Sequence, residues 1–263
     1  MATLEDYLDM AARVYDRNCS TGVVEGDFEV VAFEMATGLG DGFQGAIFEG
    51  SNESVVAFAG TTGNLRTAPL TQNTANARIG LGIIPNMAGA AYALANQAIA
   101  RRGNVSLVGH SLGGALAQVV SVWTGMPFIS FNGPGMALHL QISRFNVTHP
   151  HQLLRTVNAD SPRDAVGICF VNGDDFVGNF GRHVGQLVRL PTGPDNHGLN
   201  AIRAGLGEMI SQQPRYWVPS FSQVAPELPV PDFGQRVSRL FHNTGINGFL
   251  CKPERRIGAV EAP

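Results

Sequence analysis

The run Val105-Ser-Leu-Val-Gly-His-Ser-Leu-Gly-Gly-Ala-Leu-Ala-Gln118 sets Ser111 between Gly109 and Gly113. An apolar, β-branched stretch leads straight into the serine, and an apolar-faced helical stretch leads straight out. A serine on so sharp a strand-to-helix turn is lifted off a sheet and placed at a helix N-terminus, where developing negative charge is stabilised. Small residues two before and two after it let neighbouring chain segments approach. A serine hydroxyl is a weak nucleophile by itself. It needs a base, and the base needs an orienting carboxylate. The chemistry in view is therefore acyl transfer, and the chain should hold a histidine and an acid to complete it.

The turn is similar to the nucleophile elbow of α/β-hydrolases, in which acid and base follow the serine in that order, each after a later strand. Leu153–Val157 reads as the first strand after Phe128–Phe131 and leads into Asn158-Ala-Asp-Ser-Pro-Arg163, so Asp160 is the favoured acid. Asp164 is its main rival, with Asp174 and Asp175 further into the loop. Among seven histidines, His110 adjoins the serine, His139, His149 and His151 precede the acid, and His242 lies in the tail. His183 and His197 remain. His183 would enter the strand Gln186–Leu190 at its start, whereas His197 follows that strand. Functional loops gather at the carboxyl ends of parallel strands, so His197 is the favoured base. The oxyanion hole should take one backbone N–H from Leu112, the residue after the nucleophile. A second should come from Thr61, after the strand Ser54–Gly60.

The ordered set resembles the class 3, fungal-type lipases of the α/β-hydrolase superfamily. Gly109-His-Ser-Leu-Gly-Gly114 matches their elbow, and Phe58-Ala-Gly-Thr61 looks like their Phe-Arg-Gly-Thr/Ser oxyanion loop. Phe131-Asn-Gly-Pro134 is similar to their Phe-Gly-x-Pro strand end. Val157-Asn-Ala-Asp-Ser-Pro-Arg163 resembles their acid turn, and His197-Gly-Leu199 the region of their catalytic histidine. The resemblance spans about residues 25–205 and implies Ser111 as nucleophile, Asp160 as orienter, His197 as base, and Thr61 with Leu112 as oxyanion hole. His183-Val-Gly185 matches a family strand start that is not catalytic. Ala59 stands where the family usually has arginine, and Gly63-Asn-Leu-Arg66 replaces its usual Asp-Trp pair.

The elements that must carry these residues follow from periodicity and punctuation. Leu4, Tyr7, Leu8, Ala11, Val14 and Tyr15 recur at helical spacing behind a Thr3/Asp6 capping box. Phe28–Met35, Phe43–Glu49 and Ser54–Gly60 read as strands, the last two joined by a Gly50–Glu53 turn. The residues from 61 to 85 read as a loop. Met87–Ala100, Leu112–Trp123 and His197–Ile210 read as helices, the first ending on Arg101-Arg102-Gly103. Strand, helix, strand with short connections predicts an α/β fold of the α/β-hydrolase type: a mostly parallel central sheet, helices on both faces, and an antiparallel N-terminal edge. Five prolines between 214 and 231 mark a change of composition. The expected organisation is a catalytic domain over 1–210 and a Pro/aromatic extension over 211–263 that packs on it and offers a surface to a protein partner.

The whole composition bounds the function. Of 263 residues, 44% are hydrophobic and 15% charged, which excludes disorder as a description of the chain. A net charge of −3 argues against nucleic acid as the partner. The three cysteines, Cys19, Cys169 and Cys251, are too scattered for a metal cluster. No metal or organic cofactor is expected. The start lacks a basic and then apolar leader, and the uncharged stretch Ile79–Ala100 is interrupted by Pro85, Asn86, Asn96 and Gln97. Neither an export signal nor a membrane span is expected, so the chain is read as cytoplasmic or exported by another route. The expected substrate is a lipid or other acyl ester at a membrane or droplet surface. Two segments could cover such a site: 62–86, which is favoured, and Cys169–Phe180. The alternative readings are a phospholipase toxin delivered without a signal peptide, and an inactive hydrolase fold used for binding.

Overall fold

The computed structural model describes residues 2–35, 42–61, 87–142, 167–191 and 197–212. Eight strands form one sheet whose spatial order is the chain order. They are β1 (Val24–Glu25), β2 (Phe28–Met35), β3 (Gln44–Glu49), β4 (Ser54–Phe58), β5 (Val105–His110), β6 (Phe128–Phe131), β7 (Gly167–Asn172) and β8 (Gln186–Leu190). The described helices are α1 (Leu4–Arg13), α2 (Ala88–Arg101), α3 (Leu112–Thr124), α4 (Ala137–Ile142) and α5 (Leu199–Gln212). Pairing is antiparallel from β1 to β4 and parallel from β4 to β8. This is the expected α/β-hydrolase arrangement, with its antiparallel edge at the N-terminal side.

The change of direction at β4 has a local cause. β3 and β4 are joined by a tight turn in which Gly50 N–H donates to the Glu53 carbonyl at 2.9 Å. A short turn of this kind permits only antiparallel neighbours, whereas β4 and β5 are joined by a crossover that includes α2. Crossovers of one hand that always step to the next strand leave α2 and α3 on the same face of the sheet. Side chains alternate accordingly. Val56, Phe58 and Leu107 pack under Leu94, Leu116 and Val119, while Val55, Ala57 and Val108 pack under Tyr7, Leu8 and Ala11 of α1. β4 and β5 are buried along their whole lengths. Each large aliphatic or aromatic side chain so buried contributes about 1.5–3 kcal/mol.

α1 begins with the expected capping box, Asp6 N–H donating to Thr3 Oγ1 at 3.1 Å and Thr3 N–H to Asp6 Oδ2 at 2.6 Å. It meets α5 through Arg203, which pairs with Glu5 and Asp9. β7 corrects one expectation. Cys169–Asn172, read as part of an apolar cover, is sheet, paired with β6 at Ile129↔Ile168 and with β8 at Cys169↔Leu187. A parallel strand buried on both faces is a continuous apolar run, and composition alone does not separate it from an apolar flap. The strand expected at Leu153–Val157, the cover expected at 62–86 and the extension beyond 212 lie outside the described residues. Cys19 and Cys169 are buried free thiols. Among the described residues no helix is long and apolar enough to cross a membrane.

Because β4 to β8 run parallel, their carboxyl ends share one edge of the sheet. That edge carries Ala59–Thr61, Ser111, Asn132, Asp175 and His197.

Candidate active site

β5 ends at His110 and α3 starts at Leu112, which leaves a single residue to turn the chain. Ser111 does so with φ 57° and ψ −127°, a conformation that L-residues rarely adopt. The turn exists because nothing but backbone fits around it. A Cβ on Gly109 would overlap the Gly113 carbonyl group, and one on Gly113 would overlap the Phe58 carbonyl at the end of β4. Ser111 N–H donates to the Phe131 carbonyl at 3.0 Å, which ties the turn to β6 as well.

His197 stands two residues before α5. Its Nε2 lies 2.9 Å from Ser111 Oγ. Its Nδ1 lies 3.0 and 3.1 Å from the two carboxylate oxygens of Asp175. The carboxylate beside His197 is thus Asp175, in the loop after β7. Asp160, favoured from sequence, lies outside the described residues. Asp175 is 3% exposed, and its carboxylate also accepts the N–H groups of Gly178 at 2.7 Å and Val177 at 3.3 Å. The side-chain amide of Asn179 closes the turn by donating to the carbonyls of Asn172, Gly173 and Asp175. A strand followed by Gly-Asp-Asp at its carboxyl end is the pattern that would have pointed to Asp175, had β7 been read as a strand.

His183, the other histidine considered from sequence, lies away from Ser111, on the Gly133 carbonyl. His183 is buried, and its Nε2 donates to the Gly133 carbonyl at 3.0 Å. Burial, with the charge of Arg189, lowers its pKa to about 4, so it is neutral near pH 7. The loop after β4 runs beside Ser111: a Cβ on Gly60 would lie 3.0 Å from Ser111 Cβ. Half-buried Thr61 follows directly. Leu112 opens α3, so its N–H has no partner four residues back in the helix. The N-terminal end of α3 and the loop after β4 therefore flank Ser111. Among the described residues, no cluster of three or more histidines, cysteines and carboxylates could hold a metal ion.

A serine on a strained strand-to-helix turn, at the carboxyl edge of a mostly parallel sheet, makes this a lipase-like protein of the α/β-hydrolase class. More narrowly, the family described as phospholipase-like, with a Tle-like phospholipase domain, matches residues 9–159, and the chain belongs to that family. Among solved structures it is similar to the Rhizomucor miehei lipase propeptide complex, at 13% identity and a TM-score of 0.45 over 71% of this chain and 67% of that one. A triacylglycerol lipase from Penicillium expansum is 13% identical, with a TM-score of 0.43 over 75% of this chain and 84% of that one. Lipase II from Rhizopus niveus is 15% identical, with a TM-score of 0.43 over 73% and 81%. No curated protein matches.

Proposed function

We propose that the protein is a serine carboxylester hydrolase that cleaves acyl esters of phospholipids through a Ser111–His197–Asp175 triad. The observation that carries this reading is the continuous hydrogen-bonded line from Ser111 Oγ through both nitrogens of His197 to Asp175, built on a serine in a strained turn. The family's phospholipase description supports the substrate class.

In the first step His197 Nε2 takes the hydroxyl proton as Oγ bonds to the ester carbonyl carbon. Asp175 accepts the Nδ1–H bond, which fixes the tautomer and stabilises the imidazolium. The tetrahedral oxyanion takes hydrogen bonds from the N–H groups of Leu112 and Thr61. The carbon–oxygen bond to the leaving alcohol breaks, and that oxygen takes the proton from His197, leaving an acyl-Ser111 ester. Water then attacks the acyl carbon, giving its proton to His197. Collapse returns that proton to Ser111 Oγ and releases the fatty acid.

The test is turnover of diacylphospholipid vesicles, triglyceride emulsion and p-nitrophenyl esters by the parent and by Ser111→Ala, with fluorophosphonate labelling alongside. Ser111→Ala should lose about 10³-fold or more of turnover and all labelling, with little change in stability. Labelling that survives in Ser111→Ala would overturn the assignment. Faster cleavage of triglyceride than of phospholipid would overturn the substrate class alone.

A further inference from the structure

We propose that Tyr15 and His110 are positioning residues, which join the loop before Thr61 and the backbone of His197 in one hydrogen-bonded frame. This rests on the catalytic reading above and extends it to two groups that reaction does not touch.

Tyr15 lies just past the end of α1, far from the other site residues in sequence. Its hydroxyl oxygen accepts the Gly60 N–H at 2.8 Å. It also stands 3.0 Å from His110 Nδ1 and 3.2 Å from the His110 carbonyl. On the far side of the same ring, His110 Nε2 is 2.6 Å from the carbonyl oxygen of His197. A carbonyl can only accept, so Nε2 carries a proton. In the neutral ring Nδ1 is then an acceptor, and the Tyr15 hydroxyl proton can reach either Nδ1 or the His110 carbonyl. Direction is fixed at two links, Gly60 N–H to Tyr15 Oη and His110 Nε2–H to the His197 carbonyl, and between them the Tyr15 hydroxyl sits against both Nδ1 and the carbonyl of His110. Burial holds the Tyr15 hydroxyl above its ordinary pKa, so it keeps the proton it must donate.

The His197 carbonyl has a second donor. Asn132, with φ 46°, gives it the Nδ2–H at 3.0 Å while its Oδ1 accepts the Asn172 N–H at 2.9 Å. The rings of His110 and His197 lie 5.0 Å apart, centre to centre. The backbone that bears the base is thus gripped from the ends of β5 and β6. The Tyr15 branch carries that grip across to the loop that offers Thr61. The oxyanion donor acts on the substrate carbonyl and the base on the serine that attacks it, and a misplacement of about 1 Å between such groups costs about 10²-fold in rate.

Tyr15→Phe keeps the ring and removes the link. It should lower kcat on a p-nitrophenyl ester by about 10-fold to 100-fold with KM within about 2-fold. The matching thionoester, whose sulfur takes hydrogen bonds poorly, reads the oxyanion arm. The ratio of ester to thionoester turnover should fall in Tyr15→Phe, in whatever activity survives. For the base arm, His110→Gln, which can still donate to the His197 carbonyl, should recover part of what His110→Ala loses. Tyr15→Phe with parent-like kcat overturns the inference. So does a loss of activity that leaves the ester-to-thionoester ratio unchanged, since that marks general loosening. Fluorophosphonate labelling of the parent and of Ser111→Ala separates the two readings. If labelling is absent from the parent or persists without Ser111, the triad and this frame fall together. If labelling behaves and only the Tyr15 and His110 variants are silent, the frame alone falls.

Discussion

At the β5–α3 turn, Gly109 and Gly113 are pressed against backbone, and any Cβ there would overlap a carbonyl group of the neighbouring strand or of the helix itself. In the β7–β8 loop, Asp175 is held by hydrogen bonds instead, from Val177, Gly178 and His197. A Cβ on Gly178 would first meet Asp175 Oδ2, at 2.7 Å, the end of a side chain. Ser111 is placed by a fit of main chain on main chain. Asp175 is placed by polar contacts around a compact loop. The difference fits what the proposed triad would ask of each. The serine needs a backbone conformation that few surroundings enforce. The carboxylate needs only to reach Nδ1 of His197 and to stay dry.

If that contrast is right, damage at the acid should spare the fold. Asp175→Asn keeps the size and one acceptor but removes the charge and favours the wrong histidine tautomer. Turnover should fall about 10³-fold to 10⁴-fold, equivalent to about 4–5 kcal/mol of barrier. The thermal midpoint should stay close to the parent's. A parent-like rate on p-nitrophenyl esters would remove Asp175 from the triad.

Damage at the elbow should do the reverse. Gly113→Ala adds one methyl group, yet that methyl must displace the Phe58 carbonyl and with it the end of β4. Overpacking of this kind costs about 3 kcal/mol or more when main chain has to give. The expected result is a lower midpoint in urea, and activity that falls along with folded protein. If Gly113→Ala melts with the parent, the elbow is not the rigid half.

The same contrast explains what was readable in the residues. Ser111 and the order strand, serine, helix were legible because the strain demands glycines at fixed offsets, and β-branched residues lead in. His197 was legible because it follows the last parallel strand. Asp175 is not the preferred acid in the sequence, because its one signature, Gly-Asp-Asp at a strand end, shows only once β7 is known to be a strand. Asp160, with a proline behind it, carried a stronger turn pattern. The cover expected at Cys169–Phe180 begins instead as β7. Its run Gly167-Ile-Cys-Phe-Val-Asn172 is apolar on both faces because α/β sheets bury both, and the same composition suits a cover. β1, with two residues, and α4, with six, are too short to show a period. The roles of Tyr15 and His110 rest on contacts across 95 residues of chain, which no local pattern carries.

His183 lies where the two halves of the site are joined. It belongs to the segment that follows the acid loop, and its Nε2–H reaches Gly133, which packs against Gly114 of α3. Burial foremost, then the nearby Arg189 charge, lowers its pKa to about 4, against the pull of its bonds to Gly133 and Gly178. In the unfolded chain the imidazole titrates near its ordinary value, about 6.5. Between those two values the unfolded chain binds a proton that the folded protein refuses, so stability is whole above pH 6.5 and drains as the pH falls toward 4. The slope is about 1.4 kcal/mol per pH unit, or about 2 kcal/mol from pH 6.5 to pH 5. Urea unfolding at pH 7 and pH 5 should show that loss in the parent. His183→Gln cannot titrate but can still donate to Gly133, and it should lose about 2 kcal/mol less over the same interval. Equal losses in the two proteins would mean that His183 takes up its proton while folded. The junction between the rigid half and the polar half would then be open to water.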